Sequence, residues 1–148
     1  MRTIDSRKWL LYSLSPSQLA AGDDRRIHHG INKARDAITA KSGCKEGAGI
    51  LDNDYKAAFD YMVLHWVFKV LRAKGLNQDV TDRMANLYRN NLTVVVVNKI
   101  PGRYNYMYIR QGDRQSSNLF CYGINPHITW LMNSYKVFGY IDDIKNSP

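Results

Sequence analysis

Apolar residues fall at helical spacing in some stretches of this chain and at strand spacing in others. Ile27, Ile31, Ala34 and Ile38 predict a helix from Ile27 to Ala40. Val63, Val67, Val70 and Leu71, widened by Trp66, form one stripe of a second helix, Asp60 to Lys74, which Gly75 stops. Asn77 caps a third, running to about Arg89 with Val80, Met84, Leu87 and Tyr88 on one face. Residues 115–132 predict a fourth, bent at Pro126, and residues 4–13 a short one. Strands are predicted from Ala48 to Asp54 and over the β-branched run Thr93–Asn98. The second is turned at Ile100-Pro101-Gly102 and partnered by Arg103–Arg110. A last hairpin joins Val137–Tyr140 to the residues from Ile144 onward. Ser15-Pro16-Ser17, residues 22–26 and residues 41–47 read as turn and loops. No repeat, low-complexity tract or linker interrupts the pattern.

The terminal hairpin contains an anomaly. Val137, Phe138, Tyr140 and Ile144 flank Asp142-Asp143, two like charges at a turn. Adjacent carboxylates repel, so folding alone does not favour them. A divalent cation removes the repulsion, and Mg²⁺ is held by one or two carboxylates together with substrate phosphates.

Composition narrows the partner. The 148 residues suit one domain, and 21 Lys and Arg against 13 Asp and Glu leave a charge of +8. A basic surface attracts polyanions through counterion release. No basic amphipathic helix or long apolar run points to a membrane. Cys44 and Cys121 are too far apart in sequence for a Cys-x-x-Cys site, and the apolar run after the basic N-terminus is too short for a secretory signal. The expectation is an intracellular protein, nuclear or cytoplasmic.

A third carboxylate lies upstream. Asp54 stands at the end of a predicted strand, and Phe59 follows five positions later where a helix starts. Asp52 shares a strand face with Asp54 by the two-residue period. If Asp54 meets Asp142 on a neighbouring strand, two cations roughly 3.5–4 Å apart are held, clamping the attacking and leaving oxygens of a phosphoryl transfer. Between them, Gln111-Gly112 lies between a strand and a Ser-rich helix. Glycine permits close backbone approach, and a helix N-terminus favours phosphate.

In this order the pieces resemble the reverse transcriptase domain of non-LTR (LINE-type) retrotransposons. The resemblance rests on Asp54 with Phe59, on Gln111-Gly112 followed by Ser116, Ser117, Leu119 and Phe120, and on Tyr140-Ile141-Asp142-Asp143 as the Tyr-x-Asp-Asp box. Gln18 and Arg25 match an upstream fingers element. It covers roughly Ser15 to Ile144. The chain departs from the family at Arg114, where Pro is usual, at Asn53, usually apolar, and at Ala20-Ala21, usually Gly-Phe.

The resemblance implies an α/β (α+β) palm-and-fingers fragment, a small antiparallel sheet with packed helices, fingers-like over about 1–47 and palm over 48–148. The remaining palm and the thumb are expected to be missing, leaving a truncated or decayed copy with little activity alone. It implies RNA-directed DNA polymerisation with two Mg²⁺, or Mn²⁺, on a primed RNA or DNA template with deoxynucleoside triphosphates. Asp54, Asp142 and Asp143 would be catalytic and metal-binding. Tyr55, Phe59, Gln111 and Gly112 would contact the nucleotide, with Phe59 crowding the sugar 2′ position. Arg25, Arg110 and Tyr140 would contact nucleic acid. The alternative is an inactive remnant that binds nucleic acid through its charge.

Other residues have plainer readings. Asp52 is expected at the surface and Asp60 as a helix N-cap. His28, His29 and His65 lack metal-ligand spacing, and Trp66 and Phe68 read as helix packing. Ala40–Cys44 followed by Lys45 lacks the glycine spacing of a phosphate loop.

Overall fold

A computed structural model of the chain describes residues 12–19, 27–41, 50–89, 92–105, 107–113, 115–140 and 143–147. In chain order its elements are α1 (Ile27–Lys41), β1 (Leu51–Asn53), α2 (Ala58–Tyr61), α3 (Leu64–Ala73), α4 (Gln78–Arg89), β2 (Leu92–Val97), β3 (Ile100–Asn105), α5 (Ser116–Leu131), β4 (Lys136–Tyr140) and β5 (Asp143–Ser147). Helices and small antiparallel sheets make this an α+β chain. Two compact units divide it: Met1–Lys56 with Ile124–Pro148, and Ala57–Gly123. The boundary expected near residue 48 falls among residues 42–49, outside the described ones. Of the short helix expected over 4–13, Tyr12 and Ser13 are described, and both are helical.

The first unit is organised by a three-stranded sheet of order β1-β5-β4. β5 is central. It pairs antiparallel with β1 through Leu51↔Asn146, Asp52↔Lys145 and Asn53↔Ile144, and with β4 from Lys136↔Ser147 to Tyr140↔Asp143. Its Ile144 is fully buried and clusters with Ile128, Leu131 and Val137. Each such side chain contributes roughly 1.5–3 kcal/mol when taken from water. A further strand-like contact extends the sheet, for Gln18 bridges Gly139 in parallel. Gly139 N–H donates to Ser17 O at 2.8 Å, and Leu19 N–H donates to Gly139 O at 2.6 Å. A Cβ at Gly139 would stand 3.1 Å from Ile128 Cδ1, a tight contact with α5, and 3.6 Å from Ser17 O, an ordinary one. Ser15 N–H donates to the buried Asn125 Oδ1 of α5 at 2.7 Å. α1 packs on this unit through Ala34 and Ala37, which are buried.

In the second unit the single helix expected over Asp60–Lys74 is two. Met62 and Val63 are extended between α2 and α3. Backbone bonds from Ile109 N to Met62 O and from Leu64 N to Met107 O hold them, at 3.1 and 3.0 Å, and replace helical ones. Nor is Asp60 the N-cap. That place falls to Ala57, in the left-handed region at φ 51°, and Asp60 sits in the first turn. α3 buries Leu64, Val67, Phe68, Val70 and Leu71. It ends at Gly75, φ +90°, where Leu76 N–H reaches back to Leu71 O, closing a glycine C-cap. Asn77 Oδ1 accepts from Asp79 N–H at 2.7 Å and caps α4.

The inward face of α4 differs from the apolar stripe. Leu87 and Val80 are exposed, whereas Thr81 is fully buried. The Thr81 hydroxyl donates to Gln78 O and accepts from Arg72 Nε, so its burial leaves no polar atom unmet. The β2–β3 turn is likewise displaced. It is Asn98-Lys99, both with positive φ, a two-residue hairpin turn; Ile100-Pro101-Gly102 belong to β3. Pro101 is tolerated because a two-stranded ribbon consists of edges.

This packing orders two substitutions. Ile144→Ala should cost about 2–5 kcal/mol in denaturant unfolding, as expected for emptying a buried site. Asp52→Ala breaks only the exposed Asp52–Lys145 ion pair and should cost less than about 1 kcal/mol.

Candidate functional site

Asp54 is the first residue beyond β1, and it is exposed. Its neighbours fix the local chain on both sides. Asn53, polar where an apolar residue was expected, finds a partner, its Nδ2 donating to Ile144 O at 3.4 Å. Tyr55 lays its ring against the Ile128–Ile144 cluster, and its hydroxyl meets His127 Nε2 at 2.8 Å. Burial pushes the Tyr55 phenol above its ordinary pKa. The His127 ring in turn stacks on Trp130, centroids 5.9 Å apart. Asp54 is therefore an exposed carboxylate on a backbone held by a strand before it and an anchored aromatic after it.

Asp143 opens β5 and pairs with Tyr140, the half-buried last residue of β4. Ile141 and Asp142 lie outside the described residues, and Asp143 is described by its backbone. Because Asn53 pairs with Ile144, the residue after Asn53 and the residue before Ile144 belong to the same end of adjoining strands. Asp52 is committed elsewhere, at the surface with Lys145. Among the described residues no group of three or more His, Cys, Asp or Glu is placed to hold a metal; Asp142 and the Asp143 carboxylate are outside that set. Arg25, Arg114 and Ala20-Ala21 also lie outside the described residues.

The second unit carries the remaining expected residues. Phe59 is half-buried and stacks on Phe120, centroids 4.7 Å apart. Gln111 and Gly112 form an exposed turn before α5, with Gly112 at φ +86° and open space where a Cβ would be. Glycine is needed there for its backbone rather than for room. The turn is pinned by Asp113. Its Oδ1 accepts from Gln115 N–H at 3.1 Å and its Oδ2 from the Tyr88 hydroxyl at 3.0 Å. The Ser116 hydroxyl donates to Arg110 O, tying the residue before this turn to the helix start; the strand expected to reach Arg110 ends at Asn105. Arg110 is half-buried beside this clamp. His28, His29 and His65 are exposed. Trp66 Nε1 donates to Gly123 O at 2.9 Å, and Phe68 packs near Tyr88.

Two contributors escaped sequence reasoning. His127 lies 72 residues from Tyr55, and nothing local marks it. Asp113 carried a usable signal, an Asp three residues before a helix start, where such side chains bond to the backbone two residues ahead.

Tyr88 gives the second unit a pH dependence. Burial first, then the Asp113 hydrogen bond and charge, raise its phenol above the ordinary value, against a lowering by Arg110. A raised folded pKa means stability is present in full below the unfolded value near 10 and is lost as pH rises beyond it. Tyr88→Phe should therefore flatten the alkaline fall in stability, measured by urea unfolding from neutral pH to above about pH 10. Comparison with protein-family models finds no match for this chain, and comparison with curated proteins finds none.

Proposed function

We propose that the chain is a palm-and-fingers fragment of a reverse transcriptase domain, acting on or derived from RNA-directed DNA synthesis. The observation that carries this reading is the sheet order β1-β5-β4 with its register. Asp54 follows the residue paired with Ile144, and Asp143 precedes Ile144. Two acidic positions about 90 residues apart in sequence are thereby assigned to adjoining strand ends, as two-metal phosphoryl transfer requires.

In this reading Asp54 and Asp142 hold two Mg²⁺ ions and Asp143 completes the charge. The metals would activate the primer 3′ hydroxyl and neutralise charge building on the leaving pyrophosphate. The chain's own contribution is rigidity. Tyr55, anchored by His127, keeps the backbone at Asp54 from drifting, and preorganisation of this kind accounts for much of enzymatic rate. Phe59 would press on the deoxyribose, while Gln111 and Gly112 would border the incoming nucleotide. Arg25, Arg110 and Tyr140 would meet template or primer.

The charge of +8 favours a second reading, nucleic-acid binding without catalysis. Single-nucleotide extension of an oligo(dT) primer on poly(A) with Mn²⁺ separates the two. The polymerase reading predicts incorporation that falls at least about a hundredfold in Asp54→Asn and in Asp142→Asn, the scale for loss of a group that stabilises transition-state charge. Salt-sensitive binding of the primed template with no incorporation, unchanged in both variants, would instead establish the binding remnant.

A further inference from the structure

Within the first unit, a concave space of about 470 Å³ opens between α1 and the β4–β5 hairpin. Its volume falls within the range of small-molecule sites, roughly 300–1,000 Å³. One wall is a single face of α1, Ile31, Ala34, Arg35 and Ile38, spaced three and four residues apart. The other is β4 with its continuation, Phe138, Gly139 and Tyr140, and Lys145 of β5. Leu19 closes the floor beside Gly30, where a Cβ would come within 2.7 Å of Leu19 Cδ1. Glycine at 30 thus lets this stretch of α1 approach Leu19.

The chemistry of the lining is one-sided. Its apolar walls include Ile31 and Ile38, 53% and 46% exposed, which share one face of the helix with Ala34. Among the described residues the lining holds no carboxylate and two cations, Arg35 and Lys145. Lys145 is engaged by Asp52. Arg35 makes no ion pair among the described residues. Its planar guanidinium suits a carboxylate in bidentate fashion. Tyr140 and Thr39 also line the space, the Thr39 hydroxyl donating to Arg35 O at 3.0 Å.

We propose that this space is a binding site for a small amphipathic carboxylate, its hydrocarbon body between Ile31, Ile38 and Phe138 and its head on Arg35. The site uses no acidic residue assigned to phosphoryl transfer, shares only Tyr140 with the residues assigned to nucleic acid, and does not depend on that reading. Its size suits one small molecule rather than a peptide, and charge complementarity selects an anion over a neutral lipid.

Titration of the full chain with decanoate, followed by amide chemical shifts, tests the site. Saturable one-to-one binding is expected, with shifts concentrated at Ile31, Ile38, Phe138 and Tyr140. Arg35→Met should weaken decanoate about tenfold while leaving neutral decanamide unchanged, the discrimination a charge-assisted contact provides. Ile31→Glu, at a half-exposed position that tolerates a charge without unfolding, should abolish binding by placing a carboxylate against the ligand. Absence of saturable binding, shifts lying elsewhere, or equal affinity for decanoate and decanamide would overturn the proposal. So would a dimer in sedimentation that Ile31→Glu dissociates, with no decanoate bound, for that outcome gives the face to a second copy.

Discussion

The pairing of β5 with strands on both sides is the constraint on which the first unit depends. A central strand has its backbone donors and acceptors met from two directions, and here Ile144, its second residue, adds a fully buried side chain. A one-residue slip would send Ile144 to the opposite face and break the cluster with Ile128, Leu131 and Val137. The register is therefore fixed by packing as well as by the ladder. Because it is fixed, the positions of Asp54 relative to β5 and of Asp143 relative to β1 are fixed with it.

Around that sheet, buried polar groups act as positional markers. Asn125 holds the backbone at Ser15, which sets the approach of Ser17–Leu19 to Gly139. His127, two residues further along α5, holds Tyr55. One helix segment thus anchors both the segment beside β4 and the residue after Asp54. Each contact is worth modest free energy by itself, about 1 kcal/mol for a typical hydrogen bond. Their effect lies in direction, since each is satisfied in one arrangement only. In the second unit the same logic operates at the Gln111-Gly112 turn, where Asp113 accepts two hydrogen bonds and orders the start of α5.

Much of this was legible in the sequence where local chemistry decides. The glycine stop at Gly75, the Asn77 cap, the bounds of α1 and α5 and the terminal hairpin follow from propensity, capping and periodicity. What was not legible depends on distant partners. The break at Met62-Val63 exists because residues 107–109 offer backbone bonds there. Thr81 replaces Val80 and Leu87 on the inward face because Arg72 supplies its hydrogen bond. The hairpin turn was misplaced because Pro-Gly is a strong turn signal, yet Asn98-Lys99 has the positive φ that matches the strand twist. For the candidate site, the sequence supplies an order of residues, and the adjacency of β1 and β5, an expectation there, is expressed in the ladder's register. His127 had no local signature at all.

The central claim is that residues 54 and 142 share cations at one end of this sheet. Anomalous diffraction from crystals of the chain grown with Mn²⁺ measures it most directly. The account predicts a metal peak within about 2.1 Å of carboxylate oxygens from both Asp54 and Asp142, the ordinary distance for a hard divalent ion. Peaks confined to other carboxylates, or Asp54 and Asp142 well beyond about 10 Å apart with no ion between them, would contradict it.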